Sequence, residues 1–152
     1  MQQWKSLIVF IALVALAAAC GSLALPDAWY AALAKPSFNP PNAIFAPVWS
    51  VLYVLIAIAA WRVWRVAGFG AAIVLWFVQL ACNALWSPLF FGAHRIDLAL
   101  ADIVLLDALV VATTVLFFRR DRVAGWLLVP YLAWISFATV LTAAIWRLNG
   151  GG

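Results

Sequence analysis

Few side chains in this chain could do chemistry, and their scarcity narrows what that chemistry is. The only histidine is His94, in a short segment beside Arg95, and the only cysteines are Cys20 and Cys82. One imidazole cannot supply a bis-histidine haem site, and these three residues do not make a zinc set. No metal and no required cofactor is expected. No glycine-rich phosphate loop is present either. What remains is a collection of amides and aromatic rings at helical spacing. At 100° per residue, Gln79, Asn83, Trp86 and Phe90 fall within a stripe about 60° wide. Pro130, Trp134, Ala138 and Leu141 form a second stripe with Phe137 beside it, and Phe45, Trp49, Leu52 and Ile56 a third with Tyr53 adjacent. Such faces offer recognition: stacking against flat apolar surfaces, with indole N–H and amide groups to hydrogen-bond a polar edge.

Packing and interfacial anchoring are the plainer explanations of an indole. Trp4, Trp61, Trp64, Trp126 and Trp146, at the ends of apolar runs, fit the anchoring pattern well. Trp49, Trp86 and Trp134 fit it less well, and the periodicity favours an internal aromatic pocket. Two carboxylates, Asp102 and Asp107, lie inside an apolar run, where an ionisable group is a functional candidate by default. A step of five residues rotates about 140°, so the two do not share a helix face. Either could serve a proton-coupled exporter, or could hold helices together. We expect a structural role for Asp107 and a polar contact for Asp102, with Asp97 as a helix cap.

The elements that must position these side chains are membrane spans. The chain has 152 residues, 69% of them hydrophobic and 9% charged, with a mean hydropathy of +1.11 and ten tryptophans. Five runs, 6–25, 43–61, 71–91, 98–118 and 123–146, meet or approach the roughly 20 residues needed to cross a bilayer. Without water to satisfy the backbone, each must be helical. The expected fold is an all-α membrane protein: one domain over 1–152, a five-helix bundle, with a short helical lid between the first two spans. The first run exceeds the length of a signal core and reads as a span, although Ala17-Ala18-Ala19-Cys20 resembles a cleavage box. Small residues at Ala17 and Gly21 suit close helix approach, which makes a homodimer plausible. The N-terminal side collects Lys5, Arg62, Arg65, Arg119, Arg120 and Arg122, the other side Lys35, Arg95 and Arg147. That asymmetry predicts a cytoplasmic N-terminus in a multi-pass cell-membrane protein. The net charge of +4 shows no basic run interleaved with aromatics, so nucleic acid is not an expected partner. The segment 26–42, with Trp29, Tyr30 and Phe38, is either a lid over a cavity or a membrane-surface anchor, and Asp27 is placed to cap a short helix in it. Pro130 should kink the fifth span. His94 reads as a solvated loop residue, both thiols as buried and structural, and 148–152 as a flexible tail.

The segment Trp29-Tyr30-Ala31-Ala32-Leu33-Ala34-Lys35-Pro36-Ser37-Phe38-Asn39-Pro40-Pro41 resembles the signature of the TspO/translocator protein family, whose members include tryptophan-rich sensory proteins and the peripheral-type benzodiazepine receptor. The likeness continues through Pro47-Val48-Trp49-Ser50-Val51-Leu52-Tyr53, through 79–88 and through Pro130-Tyr131-Leu132-Ala133-Trp134. The resemblance implies five helices around a cavity closed by the first loop, with porphyrins and drug-like aromatic molecules as ligands and a stress- or oxygen-linked sensor or transporter as the role. Carried over, it makes Trp49 and Asn83 polar contacts to a ligand, and Tyr30, Pro41, Trp86, Phe90, Trp134 and Ala138 the walls. It also implies, for some bacterial members, light-dependent porphyrin breakdown involving indoles at Trp49 and Trp134. Animal members carry a proposed cholesterol motif with a Tyr before the final Arg. Here Leu141–Arg147 holds no Tyr, which argues against tight cholesterol binding.

Overall fold

The structure, a computed structural model, describes residues 2–151. The helices are α1 (Gln2–Gly21), α2 (Ala28–Ala32), α3 (Asn42–Ala67), α4 (Ala71–Ser87), α5 (Ile96–Arg120) and α6 (Arg122–Leu148), with a five-residue π-helical turn at Pro88–Gly92 between α4 and α5. All but α2 are long and apolar enough to cross a membrane, α4 together with its π-turn. Their principal contacts run α1–α3, α3–α6, α6–α5, α5–α4 and α4–α1. The five spans therefore close into a ring in which chain order and spatial order differ.

The ring is packed most tightly where side chains are smallest. On α3, Ala57, Ala59 and Ala60 are essentially inaccessible, and Ile56 and Val63 pack beside them. The fully buried Trp76 of α4 donates its indole N–H to the Ile56 carbonyl at 3.2 Å and meets Phe10 of α1 edge-on at 5.3 Å. This ring fills the centre of the half that carries the N-terminus. Asp121 ends α5 and caps α6, accepting from the Ala124 N–H at 3.1 Å and pairing with Arg62 at 2.9 Å. One carboxylate so joins the end of α3 to the α5–α6 corner.

Several boundaries differ from those read in the sequence, among them the end of α3, which runs past Trp61 to Ala67. The first helix runs from Gln2 to Gly21 rather than on to Leu25: Ser22 turns the chain, and Leu23 and Leu25 are left exposed. The third span does not continue as α-helix through Phe91. Pro88 has no N–H to donate and its ring crowds the preceding turn, so the chain widens. Ala93 donates to the Pro88 carbonyl at 2.8 Å and Arg95 to that of Leu89 at 3.0 Å, five and six residues back. Pro130 lies inside α6, which runs unbroken past it. Both thiols are free and half-buried rather than fully enclosed. Ala17 is buried within the chain and Gly21 faces Ser87 of α4, so the small-residue face of α1 serves the bundle itself.

Gly125, in the first turn of α6, lies so close to α5 that a methyl group there would overlap the Phe118 ring. Gly125→Ala is expected to lower stability by about 1–3 kcal/mol through overpacking. Thermal unfolding of the detergent-solubilised protein measures it. An unchanged midpoint would show that Phe118 gives way freely.

Candidate functional site

At the end of the bundle bearing α2, the helices spread around a cavity of about 450 Å³. All five spans contribute to it, α5 only through Ile103 and Leu106. Its volume lies within the roughly 300–1,000 Å³ usual for small-molecule sites.

A line of hydrogen bonds lies at its inner side. Tyr53 donates its hydroxyl to Asn83 Oδ1 at 3.0 Å, Asn83 Nδ2 donates to the Tyr131 hydroxyl at 2.9 Å, and Tyr131 donates to Gln79 Oε1 at 2.7 Å. Tyr131 and Gln79 are each 1% exposed. This line links α3, α4 and α6. It also engages both polar atoms of Asn83, the residue that the resemblance makes a polar contact to a ligand, with the protein. The partners could not be read from the chain, because hydroxyls from two other helices supply them.

The walls are aromatic. Trp49 packs on Tyr53 at 5.2 Å and edge-on to Tyr131 at 6.3 Å; Trp134 meets Phe45 at 5.9 Å. Trp86 stacks on Phe90, four residues on and on the same helical face, with centroids 4.9 Å apart. The indole N–H of Trp86 is enclosed and has no acceptor. Of the residues singled out from the sequence, Tyr30, Trp49, Asn83, Trp86, Phe90, Trp134 and Ala138 line this one cavity. Pro41 does not. It is the exposed residue before α3, holding extended backbone that leads the helix inward, and Asn42 lines the cavity instead. Phe45, Phe91 and Thr142 also line it. Phe45 sat on the sequence stripe of Trp49, whereas Phe91 is brought round only by the π-turn.

The segment between α1 and α3 folds onto the cavity as a lid. Tyr30 is buried against Phe90 and Phe91, and Trp29 meets Phe90 at 5.8 Å. Phe38 is the loosest part: its ring touches Phe137 at 6.2 Å, yet it remains 47% exposed. Asp27 caps α2 through the Tyr30 N–H at 3.0 Å and reaches His94 Nε2 at 3.1 Å. His94, a solvated loop residue as expected, also stacks on Trp29 at 4.2 Å and so latches the lid to the π-turn. A second clasp comes from what the sequence suggested was a flexible tail. Asn149 accepts from the Ala34 N–H at 3.0 Å and donates to the Ala34 carbonyl at 2.8 Å. Gly152 lies outside the described residues.

Between α1 and α3 the cavity opens sideways. Ser22, Leu25, Asn42, Ala46 and Ser50 line it and are also exposed. Small side chains at Ala46 and Ser50 keep this gap from being filled. Neither membrane carboxylate lines the cavity. Asp107 accepts from Ser136 at 2.9 Å and links α5 to α6, the structural role expected of it. Asp102 is 8% exposed, and its Oδ2 has no partner. Among the described residues no cluster of side chains could hold a metal ion.

A model of the TspO/MBR family matches residues 8–147. The chain is 44% identical over 147 residues to the protein CrtK of Rhodobacter capsulatus, covering 94% of this chain and 92% of that one. It is 42% identical to the tryptophan-rich sensory protein of Cereibacter sphaeroides, over 96% of this chain and 92% of the relative. It is 41% identical to the human translocator protein, over 81% of this chain and 76% of the relative.

The hydrogen bond from Tyr30 N–H, helped by His94, holds the Asp27 carboxyl below its ordinary 3.8 against a smaller opposing effect of burial. A carboxyl lowered on folding stabilises above its unfolded value and loses that contribution as pH falls through the lowered one. The Asp27 cap is therefore intact from pH 8 to 5 and fails only in strong acid. Hydrogen exchange at the Tyr30 amide should stay protected across pH 5–8 in wild type and lose protection throughout in Asp27→Ala. Equal protection in both would remove Asp27 from the lid.

Proposed function

The chain belongs to the TspO/MBR family, and from that premise we propose that it is a membrane receptor that binds tetrapyrroles or related flat aromatic ligands in the cavity beneath the lid, acting as a stress- or oxygen-linked sensor. The observation that carries the reading is the Trp86 indole. A buried N–H without an acceptor costs about 1–3 kcal/mol, a cost an occupant carrying a carbonyl, carboxylate or imine-type ring nitrogen would relieve. Around it, Trp49, Phe90 and Trp134 supply the π-faces that a planar macrocycle needs. The gap between α1 and α3 gives such a ligand a path from the lipid. A cavity of about 450 Å³ holds a drug-sized ring system outright, so a porphyrin would send its acidic edge through this gap.

A proton-coupled exporter would need Asp102 or Asp107 where substrate competes for it, and neither lines the cavity. Light-dependent porphyrin breakdown is compatible with Trp49 and Trp134 both lining the cavity, and it requires the same bound state first. We place the protein in the cell membrane with its N-terminus cytoplasmic, following the charge asymmetry.

Titration with protoporphyrin IX, followed by tryptophan quenching, tests the proposal. Trp86→Phe should weaken binding by about 1 kcal/mol, or about fivefold, without lowering the thermal stability of the ligand-free protein. Asn83→Leu should instead lower stability by about 1–3 kcal/mol, because it leaves the Tyr53 hydroxyl without its acceptor. Unchanged affinity in both Trp49→Phe and Trp86→Phe would remove the ligand from this cavity.

A further inference from the structure

At the opposite end of the bundle, the first turns of α1 and the last turns of α3 enclose an open groove of about 740 Å³. Lys5, Arg62 and Arg65 line it, with an apolar wall of Val9, Trp64 and Val66. We propose that this groove seats the phosphate headgroup of an anionic phospholipid, with an acyl chain lying along the apolar wall.

Depth is the first support. The 26 residues of α3 span about 39 Å, more than the roughly 30 Å of hydrocarbon, so side chains in its last turns lie among headgroups. Charge is the second. This face carries Lys5, Arg62, Arg65, Arg119, Arg120 and Arg122 against the single carboxylate Asp121, which Arg62 already pairs. Among the described residues Lys5 and Arg65 have no carboxylate partner. The other face opposes its three cations with Asp27 and Asp97.

The groove is also built rather than incidental. Trp61 donates its indole N–H to the Gln3 carbonyl at 3.0 Å and stacks on Trp4, which fixes the start of α1 against the end of α3. Arg65 is held over the Trp61 ring at 4.7 Å, and Phe10 meets Trp64 edge-on at 6.0 Å. Arg65 is thus held in place before any anion arrives, which reduces the entropy lost on binding. The wall distinguishes a lipid from a soluble anion. Val9 and Val66 are 55% and 65% exposed, and they offer apolar surface that free phosphate cannot use. Each basic group near an anionic leaflet adds about 1 kcal/mol of attraction.

Native mass spectrometry of the full chain with phosphatidylglycerol and phosphatidylcholine supplied in equal amounts tests this. Wild type should retain phosphatidylglycerol preferentially. The double variant Lys5→Gln, Arg65→Gln should lose that preference several-fold, and Val9→Gln, which makes the wall polar without changing any charge, should lose it as well. Arg119→Gln with Arg120→Gln removes equal charge from the same face outside the groove and should change the ratio little. No preference in wild type, equal losses in the two double variants, or retention in Val9→Gln would each overturn the proposal. So would displacement of the lipid by inorganic phosphate at matched concentration, which would make the occupant a soluble anion.

Discussion

Lipid leaves a polar group at mid-membrane no partner except other protein, and this constraint fixes the centre of the molecule. Tyr53, Asn83, Tyr131 and Gln79 come from three helices and meet because none of them could be buried alone. The net gain from each bond is modest, since interhelical hydrogen bonds in membranes average about 0.6 kcal/mol. The larger quantity is the cost of stranding a group, about 1–3 kcal/mol apiece. The line therefore acts less as glue than as a register pin. A rotation or shift of α3, α4 or α6 would strand several groups at once. The aromatic walls inherit their positions from it, because Trp49 packs on Tyr53 and Tyr131 themselves.

The two halves of the bundle follow from side-chain size on either side of that line. Toward the N-terminal end, alanines on α3 and the buried Trp76 let the helices close fully. Toward the lid, Trp49, Trp86 and Trp134 hold them apart, and the π-turn adds Phe90 and Phe91 to the enclosure. One ring of helices thus contains a solid half and a hollow half. The ten tryptophans divide accordingly into packing, interfacial and cavity-lining groups, with Trp61 and Trp64 shaping the basic groove at the solid end.

Much of this was legible in the sequence. Length and apolarity gave five spans, and 100° periodicity placed Trp49, Asn83, Trp86, Phe90, Trp134 and Ala138 toward one interior. Local spacing also gave Asp27 as the cap of α2. Contacts between distant segments were not legible. Periodicity turns Asn83 toward the interior without naming the hydroxyls it will meet. His94 and Asn149 read as loose for the same reason, since their partners lie 67 and 115 residues away. Pro41 was placed on the wall by resemblance alone, and its ring lies outside. The π-turn had a visible signal in Pro88, although a proline announces a disturbance without saying how the chain resolves it.

The Asn149–Ala34 clasp gives the lid an unusual mechanical address. Its two hydrogen bonds join the backbone of the first loop to the residue immediately after α6, so whatever pulls on that end also pulls on the cover of the cavity. Tension, a bulky fusion or a docked neighbour beyond α6 would reach the cavity without crossing the bundle. The last turn of the chain is therefore a handle on its door.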